Sequence, residues 1–538
     1  MINRTYLGLM LSCTLSIGCQ DINDAQVKQQ GLIYCSEGSP VTFNPQLDIS
    51  GTTADATAHQ LYNGLLDFDP DSSKVIPALA DSWLVSEDGL TYTFQLRKDV
   101  QFQQTHYFIP SRTFNADDVL FSINRWRQPN HPYHKISGGI YPYFESLGLQ
   151  DIVAEVNKLN GYRVEIKLNR PDSSFLATLA TDFAVILSAE YAEQLMQAGT
   201  PELLDSQPIG TGPFKFDKFK KNNFIRYQRH ENYWQGHVQQ QQLIFDITPT
   251  SSMRLAKLIT GECDVIAFPA QTELRIVDER QDLVLEEKPG LNVGFWAFNT
   301  TKAPFNDARV RRAMAMAIDR KALLDAVYSD SAVSSKGLLP PTSWAFDENQ
   351  REVHYNPVAA RQLLDEAGIA RGFRMNIWAM PVQRAYNPNA TKMAELIQSY
   401  LDKVGIRADI VSYEWATFRR LLKQGMHDTV LIGWSADNGD PDNFYRPLLS
   451  CSAIASGTNR ANWCMQEYDA LIDEALRFTE EEKRLHYYRQ ANELLVEEMP
   501  LLPIAHAYRF QAYREGISGM QINPFGGIRF GQARKESK

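Results

Sequence analysis

Short apolar runs, alternating stretches and segments of helical periodicity follow one another along the whole chain. Residues 32–35 form a short apolar run, which predicts a buried strand. Residues 90–97 alternate apolar with polar positions, which predicts a half-exposed strand. Because both periods recur, with glycine and proline between them and no internal repeat, the pattern predicts an α/β protein with more than one lobe.

Three segments have the signals of amphipathic helices. Asn115 precedes two aspartates and is typical of an N-cap, so we expect a helix from there through Trp126. Residues 307–327 carry apolar side chains at helical spacing, which predicts one helix. Residues 389–401 show the same spacing directly after a proline, which is typical of a helix start.

Composition excludes several classes of protein. The 54 basic and 64 acidic residues give a net charge of −10, which argues against a nucleic-acid partner. Hydrophobic residues make up 44% of the 538 residues, enough for ordinary buried cores in about three to five structural units. No apolar run reaches the ~20 residues needed to cross a bilayer, and the only candidate is short and lies at the start.

The first residues have the character of an export signal. Arg4 precedes the apolar stretch 7–17, and small residues come just before Cys19. We expect residues 1–18 to be removed, and the end of this segment resembles a bacterial lipobox, in which Cys19 receives a lipid. The alternative is cleavage by the ordinary signal peptidase, which leaves a soluble exported protein with a free cysteine. The polar residues 19–30 predict a tether, so the fold should begin near residue 31.

Cysteine parity favours the lipid anchor. The chain has six cysteines, and loss of the signal removes Cys13 and leaves five. If Cys19 carries lipid, the other four can pair as two disulfides in an oxidising compartment. A metal site is the rival interpretation, but no CxxC spacing is present. The expected disulfides are the local pair Cys451–Cys464, which encloses a short polar segment, and then Cys35–Cys263.

No arrangement of residues indicates catalysis. There is no phosphate-binding loop, GxGxxG, HExxH or CxxCH motif, and residues 433–437 lack the second glycine of a nucleophile elbow. His131 and His134 have no third metal ligand in view. The aspartate-rich run 437–442 lacks the glycine and glutamate of a calcium-binding EF-hand loop. We therefore expect a binding protein, not an enzyme, with no metal and no cofactor.

Several motifs resemble the large peptide-binding proteins that deliver ligands to ABC importers. The motifs are YCSEGSP at 34–40, PALADSW at 77–83, DGLTYTFQLR at 88–97 and PIGTGPF at 208–214. The likeness extends from Gly31 to Phe530. It implies an α/β, two-lobed periplasmic binding protein fold that closes about a hinge, with an extra subdomain in the first lobe.

The resemblance also implies how the chain is divided and what it meets. Lobe I would comprise residues 31–289 with an inserted subdomain at roughly 76–209, lobe II would comprise 290–507, and residues 508–538 would return to lobe I. The implied ligand is a short peptide, and the implied partner is the permease of the transporter. We expect a periplasmic monomer whose only membrane contacts are the permease and the lipid on Cys19.

Two segments resemble the ligand-clamping segments of dipeptide-binding members, namely WAMPVQRAYNPN at 378–389 and the stretch 433–444. By that resemblance Arg384 binds the C-terminal carboxylate of the peptide and Asp437 binds its N-terminal ammonium. An arginine fork suits a carboxylate, and an aspartate accepts hydrogen bonds from an ammonium. Two residues of extended chain span at most ~7 Å, so a fixed pair of charges would measure ligand length. The disulfides expected above also match that pattern.

Three residues complete the expected site. Tyr386 and Trp434 would form walls of a roomy, hydrated pocket that accepts different side chains. Gly51 would let the backbone of the ligand approach closely. The candidates also have ordinary structural interpretations: Arg384 as a surface or structural charge, the aspartate run 437–442 as a solvated turn, and Trp434 as a core residue.

Other stretches resemble Sap-type binding proteins, which are associated with resistance to antimicrobial peptides. The stretches are RLAKLITGECDV at 254–265, RPLLSC at 446–451 and NPFG at 523–526. They carry no obvious ligand chemistry. The alternative function is therefore a Sap-type receptor for cationic peptides or haem, and ligand length distinguishes it from a dipeptide receptor.

Overall fold

The structure is a computed structural model that describes residues 31–70 and 72–536. The expected signal peptide at 1–18, the tether at 19–30 and the lipid on Cys19 lie outside the described residues. These three expectations are therefore not tested by the fold.

The first described element is the buried strand that the apolar run predicts. Gly31–Ser36 is buried at all six positions and pairs in parallel with Gln242–Ile247 on one side and Val265–Ile266 on the other. A strand buried on both faces requires a continuous apolar run instead of an alternating one. The prediction of a buried strand at 32–35 is confirmed.

Ten strands form the path of one large mixed sheet, and two more, Leu283–Pro289 and Ala332–Ser334, pair with its longest strand. Strands from residues before 290 lie on one side of the strand Leu501–Arg514, and strands from residues 292–435 lie on the other. From edge to edge the order is Ile406–Val411, Phe373–Ala379, Thr429–Ser435, Asn292–Phe298, Leu501–Arg514, Val265–Ile266, Gly31–Ser36, Gln242–Ile247, Phe224–Arg229 and Phe214–Lys220.

The strand Leu501–Arg514 is shared by both sides of the sheet. Its first residues pair with Asn292–Phe298, and its last residues pair with Leu283–Pro289 and Val265–Ile266. All of these pairings are antiparallel. One continuous strand of 14 residues therefore connects the two parts of the sheet.

A separate antiparallel sheet lies earlier in the chain. Its second strand, Thr91–Leu96, buries Tyr92, Phe94 and Leu96 and leaves the intervening side chains partly or fully exposed, which confirms the predicted alternation. The order of this sheet is Ala80–Val85, Thr91–Leu96, Arg163–Leu168 and Val153–Asn160. Two short pairs are Leu66–Phe68 with Val75–Pro77 and Ile517–Ser518 with Arg534–Lys535.

Two predicted helix starts are confirmed. The Asn115 side chain accepts a hydrogen bond from the backbone N–H of Asp117 at 2.8 Å and caps the helix Ala116–Arg127. The Asn389 side chain does the same for Ala390–Lys403 by accepting from a backbone N–H at 3.0 Å. Local capping signals in the sequence were therefore sufficient at both places.

The prediction of one helix over 307–327 is wrong. The structure has two helices, Ala308–Met316 and Arg320–Tyr328. The Asp319 carboxylate accepts a hydrogen bond from the backbone N–H of Ala322 at 3.1 Å and caps the second helix. The apolar spacing continues through the break, so periodicity alone did not reveal it.

The remaining helices are distributed along the chain, and in the part described by the structure none is both long and apolar enough to cross a bilayer. The further α-helices are Gly51–Leu61, Pro142–Ser146, Leu149–Ile152, Phe175–Leu179, Ala189–Ala198, Ser251–Thr260, Gln271–Asp278, Pro357–Glu366, Trp415–Lys423, Asp442–Leu449, Ser452–Ser456, Gln466–Leu476 and Glu481–Glu498. Three short 3-10 helices are Pro45–Leu47, Ile136–Gly138 and Pro201–Asp205.

Two disulfides are present, and they are the expected pairs. Cys35 bonds to Cys263, and Cys451 bonds to Cys464. The Cys35–Cys263 disulfide lies beside Asp246. Together, Cys35, Asp246 and Cys263 are the one group of potential metal ligands found within residues 31–70 and 72–536. Sulfur atoms joined in a disulfide are not thiolate ligands, so this group is a covalent link between elements.

Candidate functional site

Two facing glycines leave room for Tyr386 on the large sheet. Gly294 pairs with Gly433 across the antiparallel strands Asn292–Phe298 and Thr429–Ser435. A Cβ atom on Gly294 would lie 2.2 Å from the carbonyl oxygen of Tyr386, and one on Gly433 would lie 2.3 Å from its ring atom Cδ2. Contacts this short do not occur, so the two glycines are what allow this close approach.

Three hydrogen bonds fix the turn that carries Arg384. The hydroxyl of Tyr328 donates to the carbonyl oxygen of Tyr386 at 2.7 Å. The backbone N–H of Arg384 donates to the carbonyl of Asn387 at 3.1 Å, and the N–H of Asn387 donates back at 3.0 Å. These bonds close the turn at Arg384 and connect it to the helix Arg320–Tyr328.

The Arg384 side chain is half-buried. Its Nη1 donates to the carbonyl oxygen of Gln383 at 2.9 Å, and its Cζ lies 5.8 Å from the centre of the Trp415 ring. Within residues 31–70 and 72–536, no ion pair joins Arg384 to a carboxylate. Cation–π attraction orients the guanidinium, while most of its donors stay available to a ligand.

Asn443 organises the other side of the site. Its Oδ1 accepts a hydrogen bond from the indole Nε1 of Trp434 at 3.2 Å and another from the backbone N–H of Asp437 at 3.1 Å. Asn443 lies in the helix Asp442–Leu449, in which every residue is buried. One amide oxygen thus fixes both the Trp434 ring and the backbone at Asp437. The sequence did not single out Asn443.

The environment of Asp437 disfavours a negative charge. Burial raises the pKa of this carboxyl to about 7, and the nearby charge of Asp182 adds to the increase, while a hydrogen bond with Asn443 opposes it. Burial, together with the charge of Asp437, also raises the pKa of Tyr143. A cation bound beside Asp437 would favour the ionised carboxylate, so this group is suited to receive an ammonium.

Gly51 stands apart from the other candidates. It is the exposed first residue of the helix Gly51–Leu61, and a Cβ atom on it would have no other atom within 4 Å. The same helix approaches the site through His59, whose Nε2 lies 2.7 Å from Oδ1 of Asp182. The structure shows no contact between Gly51 and the other four predicted residues. Those four lie around the strand Thr429–Ser435: Arg384, Tyr386, Trp434 and Asp437.

Two arginines that the sequence did not single out lie close to this group. The Cζ of Arg419 is 5.7 Å from the centre of the Trp415 ring. Burial lowers the pKa of Arg460 to about 10, with a further decrease from the charge of Arg419 and an opposing effect of Tyr386. The only sequence signal for Arg460 was its place in the loop closed by one disulfide, which does not indicate where its side chain points.

Residues 74–456 match the family of bacterial extracellular solute-binding proteins, family 5 Middle. This match covers more than half of the sequence and includes Arg384 and Asp437. The chain belongs to this family of solute-binding proteins.

Two curated relatives match this sequence over almost its whole length. The dipeptide-binding protein of Escherichia coli (strain K12) is 46% identical over 517 residues, which are 96% of each chain. The peptide transport periplasmic protein SapA of Salmonella typhimurium is 42% identical over 530 residues, 98% of this chain and 96% of the relative.

A solved structure shows the same fold. The crystal structure of a dipeptide binding protein from Pseudoalteromonas sp. SM9913 in complex with Met-Leu has a TM-score of 0.89 and 45% identity, and the match covers 94% of this chain and 100% of that one. These similarities confirm the prediction of a two-lobed α/β fold and of a peptide-binding member of the family.

Proposed function

We propose that the protein is the extracytoplasmic receptor of an ABC peptide importer and binds dipeptides by their two charged ends. The observation that carries the proposal is that two complementary groups lie on neighbouring segments: Arg384 without a carboxylate partner, and Asp437 with a raised pKa. The relatives named as dipeptide-binding proteins, one of them solved with Met-Leu, support this choice of ligand.

Each end of the ligand has one partner in this proposal. Arg384 takes the C-terminal carboxylate through its planar fork, and Asp437 takes the N-terminal ammonium. An extended dipeptide spans at most ~7 Å, so a tripeptide in the same pose leaves one charge unpaired. Removing one partner of a buried ion pair costs about 3–5 kcal/mol, which is enough to select ligand length.

The pocket accepts most types of ligand side chain without strong preference. Tyr386 and Trp434 form walls of a hydrated pocket, in which water adapts to each side chain. Gly51 remains a proposed point of close backbone approach. No cofactor, metal or catalytic step is part of this function.

Transport requires that the two lobes close on the ligand. We assign lobe I to residues 31–289 with a subdomain at roughly 76–209, lobe II to 290–507, and the return to lobe I to 508–538. The shared strand Leu501–Arg514 supports a hinge near its middle, because it pairs with strands of both lobes. The closed form is the one that docks on the permease, so ligand binding selects productive docking.

The proposed location is the periplasm. Cys19 carries the lipid that holds the protein at a membrane, and residues 19–30 act as the tether. The protein works as a monomer, with the peptide and the permease subunits as its partners. The named periplasmic relative supports this location.

Calorimetry on the purified chain tests the function, after bound ligand has been removed by unfolding and refolding. Ala-Ala should bind, tri-alanine should bind at least about tenfold more weakly, and Arg384→Ala should weaken Ala-Ala binding at least about tenfold. Arg374→Ala is the matched control, because it removes an exposed arginine of lobe II. It should leave the affinity unchanged.

The opposite result would support a Sap-type receptor. In that case a longer cationic peptide or haem would bind, Ala-Ala would give no heat, and Arg384→Ala would change nothing. The SapA relative and the neighbouring carboxyls of Asp182 and Asp437 are what favour this second candidate.

A further inference from the structure

Two guanidinium groups share one indole ring next to the candidate site. The Cζ atoms of Arg384 and Arg419 lie 5.8 Å and 5.7 Å from the centre of the Trp415 ring. The two carbons are therefore no more than about 11.5 Å apart. Cation–π attraction to the same ring offsets part of the repulsion between the two charges.

The guanidinium of Arg460 adds a third positive charge, which acts on Tyr386 and is affected by Arg419. Its backbone carbonyl accepts a hydrogen bond from Nε2 of His427 at 2.8 Å, within the loop closed by Cys451–Cys464. Burial raises the pKa of the Tyr386 hydroxyl. The positive charges of Arg384 and Arg460 oppose this increase. The charge of Arg419 also disfavours the charged form of Arg460.

No protein carboxylate is ion-paired with these three arginines in the part of the chain that the structure describes. Glu414 immediately precedes Trp415 in the sequence. Its Oε2 accepts a hydrogen bond from the backbone N–H of Thr417 at 3.1 Å, at the start of the helix Trp415–Lys423. Arg384 and Arg419, which lie at one ring without a protein counter-charge, raise the free energy of the empty site, and the charge of Arg460 adds to this effect. One ligand carboxylate compensates for only part of this charge.

We propose that Arg419 and Arg460 form a second anion site beside Arg384, which receives the side-chain carboxylate of an acidic C-terminal residue of the ligand. This inference rests on the proposed function, because Arg384 must first hold the α-carboxylate. A glutamate at the second position carries both carboxylates within a few bonds of each other. The receptor therefore selects among dipeptides in favour of those that end in glutamate or aspartate.

Calorimetry with Ala-Glu and its neutral isostere Ala-Gln tests the inference on the full purified chain. For the wild type, Ala-Glu should bind at least about tenfold more tightly than Ala-Gln, as expected for a charge-assisted contact. In Arg460→Gln and in Arg419→Gln the ratio of the two affinities should fall to about threefold or less. Arg419 is exposed, so its variant remains informative if Arg460→Gln does not fold.

Arg420→Gln is the matched control. It removes an exposed arginine from the same helix, and the structure shows no contact between Arg420 and the Trp415 ring. Both affinities and their ratio should stay at wild-type values.

Three other results would overturn the inference. Equal affinities for Ala-Glu and Ala-Gln in the wild type would overturn it and leave the proposed function intact. A preference that survives both Arg460→Gln and Arg419→Gln would show that the anion site lies elsewhere. Failure of both dipeptides and of Ala-Ala to bind would overturn the proposed function and this inference together.

Discussion

The ring of Tyr386 lies against Gly433, where a Cβ atom would come within 2.3 Å of ring atom Cδ2. The facing residue Gly294 provides the same clearance for the carbonyl group of Tyr386. The position of Tyr386, and with it that of Arg384 two residues earlier, depends on the absence of two side chains.

Gly433→Ala should therefore displace Tyr386 and reduce the affinity for Ala-Ala at least about tenfold. Overpacking of a close contact costs about 1–3 kcal/mol, part of which would appear as lower stability. Calorimetry and thermal unfolding measure the two effects. Gly161→Ala is the control, because a Cβ atom there meets no atom within 4 Å. Equal affinities of the two variants would contradict the role assigned to Gly433.

Ligand affinity should depend on pH through Asp437. Its pKa is about 7 in the unliganded protein, so near neutral pH a fraction of the molecules carries a proton there. The ligand ammonium favours the ionised carboxylate, so affinity for Ala-Ala should rise from pH 5.5 to 7.5 with release of a proton. Calorimetry in buffers of different ionisation enthalpy measures that proton. Absence of proton release would refute this assignment, and Asp437→Asn should abolish it.

The same carboxyl should reduce stability at alkaline pH. Its pKa rises from 3.8 in the unfolded chain to about 7 in the fold, so the folded state loses stability as pH increases between these values. Unliganded Asp437→Asn should be more stable than the wild type by about 1–4 kcal/mol at pH 8 and nearly equal at pH 4. Urea unfolding measures this. Asp409→Asn, at an exposed position, should show no such pH dependence.

The disulfide Cys451–Cys464 should contribute to stability through the unfolded state. It closes a loop between cysteines 13 residues apart, for which the chain-entropy estimate is about 3 kcal/mol. Replacing both cysteines by serine should lower the urea midpoint accordingly. An unchanged midpoint would mean that the loop is ordered equally well without the bond.

Gly51→Ala separates a ligand contact from a structural role. The added methyl group meets no protein atom within 4 Å, so stability should stay at the wild-type value. If the backbone of the ligand approaches here, we expect the affinity for Ala-Ala to fall about fivefold, a cost of ~1 kcal/mol. An unchanged affinity in calorimetry would remove Gly51 from the site.

Much of the local structure could be predicted from the sequence. The N-caps Asn115 and Asn389, the alternation in Thr91–Leu96 and the buried run at 32–35 depend on residues close together in the chain. Motif resemblance supplied the two-lobed class and the candidate residues Arg384 and Asp437, because the motifs are long and the likeness extends from Gly31 to Phe530.

Other features required the tertiary structure. The break before Asp319 leaves the apolar period intact, so the sequence pattern could not show that one segment forms two helices. The clearance of Gly433 for Tyr386 depends on a contact between residues far apart in the chain. The effect of the Arg419 charge on Arg460 likewise depends on how distant segments pack. The sequence determined which groups are present and how each segment folds locally, whereas the packing of distant segments decided which charges meet.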